Sequence, residues 1–139
     1  MWLVFSFGSA IFASLVAIFG KLGLKEIDST LATTIRAGVM AIFLIGFSLI
    51  LKKFEGFSIN SLETSDWILI ILSGIAGAIS WLFYFAALKM GLASHVASID
   101  RLSLIFVIIL SILFLGEKVD IKVIAGAILM VGGAILITI

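Results

Sequence analysis

Five long apolar runs separated by four short polar connections constrain this chain more than any other feature. The runs cover about residues 2–20, 31–51, 67–88, 93–115 and 121–139. Each approaches the roughly 20 residues a helix needs to cross the hydrocarbon core of a bilayer. Lipid offers backbone groups no hydrogen-bond partners, so runs of this length are expected to be helices. Composition agrees, with 63% of residues hydrophobic and 12% charged, against about 45–50% and about 25% in soluble domains. The expected fold is therefore all-α: a polytopic membrane helix bundle of five transmembrane helices, with residues 1–139 as a single domain.

The same composition excludes several functions. A net charge of +1 gives no basic field for nucleic acid. With no cysteine and one histidine, the chain offers neither thiolate nor histidine-rich metal sites. No metal and no cofactor are expected. The N-terminus, Met1-Trp2-Leu3-Val4-Phe5, lacks a basic segment and reads as a first span rather than a cleaved signal.

The connections cover residues 21–30, 52–66, 89–92 and 116–120. Only the second has room for more than a turn. It begins Lys52-Lys53-Phe54-Glu55, which suggests an interfacial segment, and Ser65 or Asp66 is the expected N-cap of the third helix. Loop lysines and arginines set orientation. Lys52, Lys53, Lys118 and Lys122 fall on one side, while Lys21, Lys25 and Lys89 fall on the other. A bias this small fits an ordinary chain with its N-terminus inside first, and insertion in both orientations as the sharper alternative.

Three ionisable residues stand within the runs. Asp100 and Arg101 lie about 10–12 Å into the fourth span at 1.5 Å per residue, and Arg36 lies about 8 Å into the second. Such residues cost about 2.5–3.5 kcal/mol each on insertion scales, and they face bundle interiors, pair, or mark transport paths. Adjacent helix positions point about 100° apart, so Asp100 and Arg101 are poor partners for each other. Asp100 with Arg36 is the attractive pair, as a register-fixing ion pair or as part of a substrate or proton path. Arg36 also has the option of snorkelling.

The third span has a small-residue face, Ser73, Gly74, Gly77 and Ala78, of the kind that lets helices approach closely. Further along, Trp81, Tyr84 and Leu88 share a face, as packed aromatics or as one wall of a substrate cavity. In the fifth span, Gly126, Gly132 and Gly133 form a stripe suited to close helix contact, within one chain or between two. His95 reads as an interfacial group and Glu117 as a loop carboxylate. No phosphate loop, nucleophile elbow or metal-binding helix occurs. Ser103 near Asp100 is the nearest approach to a catalytic pair, and the chain is not expected to be an enzyme.

Three stretches carry a family resemblance. They are Phe83 through Gly91, then Leu113-Phe114-Leu115-Gly116-Glu117-Lys118, and Gly126-Ala127-Ile128-Leu129-Met130-Val131-Gly132-Gly133. In order and spacing the chain resembles one domain of the EamA family of the drug/metabolite transporter superfamily, over essentially its whole length. Most members of that family look like two such domains fused into ten spans as inverted repeats. The resemblance therefore implies half of a ten-span inverted-repeat transporter, completed by an antiparallel homodimer in the cell membrane. Many family members carry a proline early in the fourth helix; here that region reads Ile99-Asp100-Arg101-Leu102-Ser103, and the chain has no proline.

The expected activity is transport of a small solute or metabolite by alternating access. Arg36, Trp81, Tyr84, Asp100 and Arg101 are the expected substrate-binding set, and the expected partners are the solute, membrane lipid and a second copy. Two other readings stay open: a non-transporting membrane assembly subunit, and a flippase for a lipid-linked carrier.

Overall fold

The computed structural model describes residues 1–58 and 61–139. Its helices are α1 (Trp2–Gly23), α2 (Ser29–Ile50), α3 (Thr64–Met90), α4 (Ala93–Asp100), α5 (Ser103–Leu110) and α6 (Ile121–Thr138), with a π turn over Ser111–Leu115. The fourth apolar run, Ala93–Leu115, is thus one span built from α4, α5 and the π turn. Five spans result, all long and apolar enough to cross a membrane. The expected all-α fold, with five helices long and apolar enough to span a membrane, is what the chain forms.

The chain divides into two compact units. The first holds residues 1–21 and 90–139, with α6 packed on α4. Its buried residues are Ala17, Ser111 and Ala134. The second holds residues 22–89, the α2–α3 hairpin. There Leu24, Thr33, Phe85 and Leu88 are buried, all near the end where α2 begins and α3 finishes. Lysines in the last turns of α1 and α3 complement the negative helix C-termini. In the first unit Lys21 Nζ donates to the Gly91 carbonyl at 2.7 Å. In the second, Lys89 Nζ donates to the Ile27 carbonyl at 2.7 Å, placing the end of α3 beside the start of α2.

Helix ends follow local chemistry. Asp28 starts α2: its Oδ1 accepts from the N–H groups of Thr30 (2.9 Å) and Leu31 (3.1 Å). That cap carries the helix back to Ser29, ahead of the apolar run. The hydrogen bond from the Leu31 N–H is the largest cause holding the Asp28 carboxyl below its ordinary value of 3.8; slight desolvation opposes it, and the Thr30 N–H and Lys89 charge assist. A carboxyl depressed on folding stabilises the native state above its unfolded pKa, and that stability is lost as pH falls through the lower native value. Thermal unfolding followed from neutral pH into acid should show this loss. Asp28→Asn, which retains a capping oxygen without the titration, should show less of it.

The third helix begins differently from the sequence expectation. Neither Ser65 nor Asp66 is the N-cap, because α3 starts at Thr64. Asp66 Oδ2 instead accepts from the Glu63 N–H at 3.1 Å, which is the return half of a capping box. Thr64 has helical backbone, so the side chain two residues on reaches back rather than forward. Of the connection at 52–66, where an interfacial segment is expected, residues 52–56 form turns. Residues 59–60 lie outside the described residues.

At the other end of α2, Lys52 sits in the left-handed region with φ of 55°. Its N–H reaches the Leu49 carbonyl at 3.0 Å, and the Lys53 N–H reaches the Ser48 carbonyl at 2.9 Å. This is a Schellman closure, which glycine fits best. Left-handed backbone costs a residue with a Cβ about 1–2 kcal/mol. Glycine gives back about 0.5–1 kcal/mol in unfolded-chain entropy. Lys52→Gly should therefore stabilise the protein by about 0.5–1 kcal/mol, read as a raised thermal midpoint. The lost Lys52–Glu55 pair, at 3.4 Å between largely exposed side chains, subtracts little.

Candidate functional site

Arg36 is seven residues beyond Ser29 in α2, about 10 Å along the axis. Trp81 is nine residues before Met90 in α3, about 13 Å from that end. Because α3 ends beside the start of α2, the two side chains meet at similar depth. The Arg36 guanidinium carbon lies 3.6 Å from the Trp81 ring centroid and 5.3 Å from that of Phe85. Trp81 meets Tyr84 edge-on at 5.6 Å and Phe85 at 5.7 Å, and Tyr84 meets Phe85 at 6.2 Å. Within its unit, then, Arg36 lies on an aromatic cluster rather than against a carboxylate.

The sequence reading names Arg36, Trp81 and Tyr84 and misses Phe85. Phe85 stands four residues after Trp81, on the same helix face, and is 3% exposed. Helical spacing alone was enough to find it. Leu88, placed on that face from the sequence, is fully buried.

The energetics explain why this site attracts notice. An arginine at bilayer depth costs about 2.5–3.5 kcal/mol. A desolvated cation over an aromatic face recovers about 2 kcal/mol or less for one ring. The ring cluster offsets part of the cost, and the rest favours a polar or anionic neighbour.

A groove of about 700 Å³ runs along this hairpin between α2 and α3. Arg36 and Trp81 line it together with Met40, Leu44, Gly74 and Gly77. A Cβ built on Gly74 or Gly77 would meet nothing within 4 Å. The small face of α3 therefore borders open space in this chain, which corrects the expectation of a close helix contact there. α2 contributes Met40 and Leu44 to the lining.

The first unit carries the other predicted pair. Asp100 is the last residue of α4, and Arg101 follows it in a two-residue turn before α5. Both are exposed. The Leu102 N–H bonds the Ile99 carbonyl at 2.9 Å, Leu104 bonds Arg101 at 3.1 Å, and Ile105 bonds Leu102 at 3.0 Å. These are i→i−3 bonds, a tightened 3₁₀ step inside the span. The amides of Leu102 and Leu104 thereby leave the Ser98 and Asp100 carbonyls, their i−4 partners. The backbone thus departs from α geometry at Asp100-Arg101-Leu102 although no proline is present. Among the described residues of this unit, neither Asp100 nor Arg101 forms an ion pair.

The Gly116-Glu117 step acts through its backbone. Gly116 takes a left-handed φ of 65°, ending the π turn, and the Glu117 N–H closes onto the Ser111 carbonyl at 3.2 Å. In α6, a Cβ on Gly126, Gly132 or Gly133 would meet nothing within 4 Å. Among the described residues, no atom beyond each glycine's own neighbours along the helix lies within 4 Å of those added Cβ positions.

Five membrane-crossing helices with ionisable residues at mid-span define an integral, multi-pass membrane protein. Residues 1–139 match the EamA-like transporter family, and the chain belongs to that family. A Sinorhizobium sp. protein named as an uncharacterized transporter in the cobO 3' region is 36% identical over 138 residues, covering 99% of this chain and 96% of that protein. No solved structure matches the chain.

Proposed function

We propose that this protein moves a small solute or metabolite across the cell membrane by alternating access, as an antiparallel homodimer. The observation that carries this reading is the exposure of Asp100 and Arg101 at mid-span, on a step where the helix leaves α geometry. Charges at that depth cost about 2.5–3.5 kcal/mol each against lipid, so a polar chamber closed by a second copy is the favourable setting. Repeat-built transporters place substrate near the midplane, at interrupted helices. Arg36, Trp81 and Tyr84 are assigned to substrate handling within the second unit, and Asp100 and Arg101 are assigned to it separately within the first. Gly126, Gly132 and Gly133 are assigned to contact between copies, in line with the open space around them.

Two experiments test the proposal. Vesicles containing the purified protein, preloaded with a metabolite extract, should exchange at least one labelled solute, and failure across a broad panel would remove the transport reading. A reporter fused to the C-terminus should be active on both sides of the membrane. Activity on a single side only would eliminate the antiparallel homodimer and leave transport by another assembly.

A further inference from the structure

We propose that the α2–α3 groove binds an organic anion with an apolar body, its anionic group held by Arg36. This rests on the transporter reading for its physiological meaning and on the hairpin alone for its chemistry.

The lining divides cleanly by function. Among the described residues no carboxylate borders the groove, and Arg36 is its one ionisable side chain. The Thr33 hydroxyl donates to the Ser29 carbonyl at 2.7 Å and the Thr34 hydroxyl to Thr30 at 2.9 Å. Both threonine protons are thus engaged within α2, and their oxygens offer only lone pairs. The guanidinium carbon lies over the Trp81 ring, 3.6 Å from its centroid. The N–H donors of the guanidinium point outward in its own plane and suit a carboxylate or phosphate edge. Beyond that polar end the walls are Met40, Ala41, Leu44, Gly74, Gly77 and Leu82, with the Ser73 hydroxyl as the one polar group among them. They can hold hydrocarbon or a ring but offer no second charge.

A groove of about 700 Å³ is also of ligand size, within the roughly 300–1,000 Å³ common for small-molecule sites. A cation is repelled by Arg36. A zwitterion would find hydroxyl oxygens but no carboxylate in the lining for its positive group. A small hydrophilic anion would leave most of the groove unfilled. An anion with an apolar body satisfies both ends.

The test is equilibrium binding to protein in phosphatidylcholine nanodiscs. The ligands are 4-tert-butylbenzoate, the matched benzyl alcohol, the matched benzylamine, and acetate. Trp81 fluorescence reports binding in a Trp2→Phe, Trp67→Phe background. The benzoate should bind about tenfold or more tighter than the alcohol, as a charge-assisted contact at low dielectric predicts. The amine and acetate should bind weakest. Arg36→Gln should bring the benzoate down to the level of the alcohol, and Arg36→Lys should restore part of the preference. Gly77→Leu, where added side chain meets open space, should weaken benzoate and alcohol together by filling the apolar end.

Equal binding of benzoate and alcohol to the unaltered protein would overturn the proposal, and so would a preference that survives Arg36→Gln. Adding phosphatidylglycerol to the nanodiscs separates solute from lipid. If it displaces the benzoate and copurifies only when Arg36 is present, the site belongs to an anionic lipid and the solute proposal falls. Binding as described without exchange in vesicles would defeat the transport reading and leave this site standing. Exchange of a solute with no Arg36-dependent preference for anions would do the reverse.

Discussion

Vesicles carrying Asp100→Asn or Arg101→Gln protein should lose uptake of the transported solute by about tenfold or more, as expected when a charged hydrogen bond in a desolvated site is removed. The stability of the same variants should hold or rise. Each side chain is exposed at mid-span without an ion-pair partner in its unit. Neutralising it removes an insertion cost of about 2.5–3.5 kcal/mol. A register-fixing ion pair behaves in the opposite way: breaking one partner of a buried pair costs about 3–5 kcal/mol of stability. Uptake and thermal midpoint measured on the same preparations distinguish the two roles. Normal uptake with a falling midpoint would make Asp100 and Arg101 structural.

Phe85→Ala should lower stability by about 2–3 kcal/mol, near the lower end for a large aromatic truncation in a packed site. Lipid tails are as apolar as the side chain, so the loss comes from packing rather than from water exclusion. Phe85 is 3% exposed and touches both Trp81 and Tyr84. Phe83, two residues away and 73% exposed, is the control. Phe83→Ala should move the thermal midpoint in detergent very little. Because Phe85 also lies 5.3 Å from the Arg36 guanidinium carbon, its removal should loosen Trp81 and alter that residue's fluorescence. Equal effects of the two truncations would mean that the aromatic cluster does not hold the hairpin.

The polar residues show where reading a sequence stops. Arg36, Trp81 and Tyr84 were each visible as residues out of place in an apolar run. Their grouping was not, because a cation–π contact joins positions 45 residues apart in number and depends on how α3 returns beside α2. Pairing charges by sign suggests Asp100 for Arg36; within its unit the guanidinium instead meets the face of a ring. Gly74 and Gly77 show the converse error. Small residues permit close approach but do not compel it, and here they border a groove. The departure from α geometry at Asp100-Arg101-Leu102 gave no signal in a chain without proline, since a 3₁₀ step has no obligatory residue type.

The amino-acid order alone determined that this protein lives in lipid and crosses it five times. Backbone groups without water must bond within their own segment, and runs of this length and apolarity leave the helix as the available answer. It also placed the connections and marked the residues that do not belong in hydrocarbon. Only the tertiary structure decided what those residues face, whether the glycines close a contact or line a groove, and where the fourth span changes its hydrogen-bond pattern. Those outcomes depend on how helices distant in sequence come together, and lipid, as apolar as the side chains themselves, does little to dictate that arrangement.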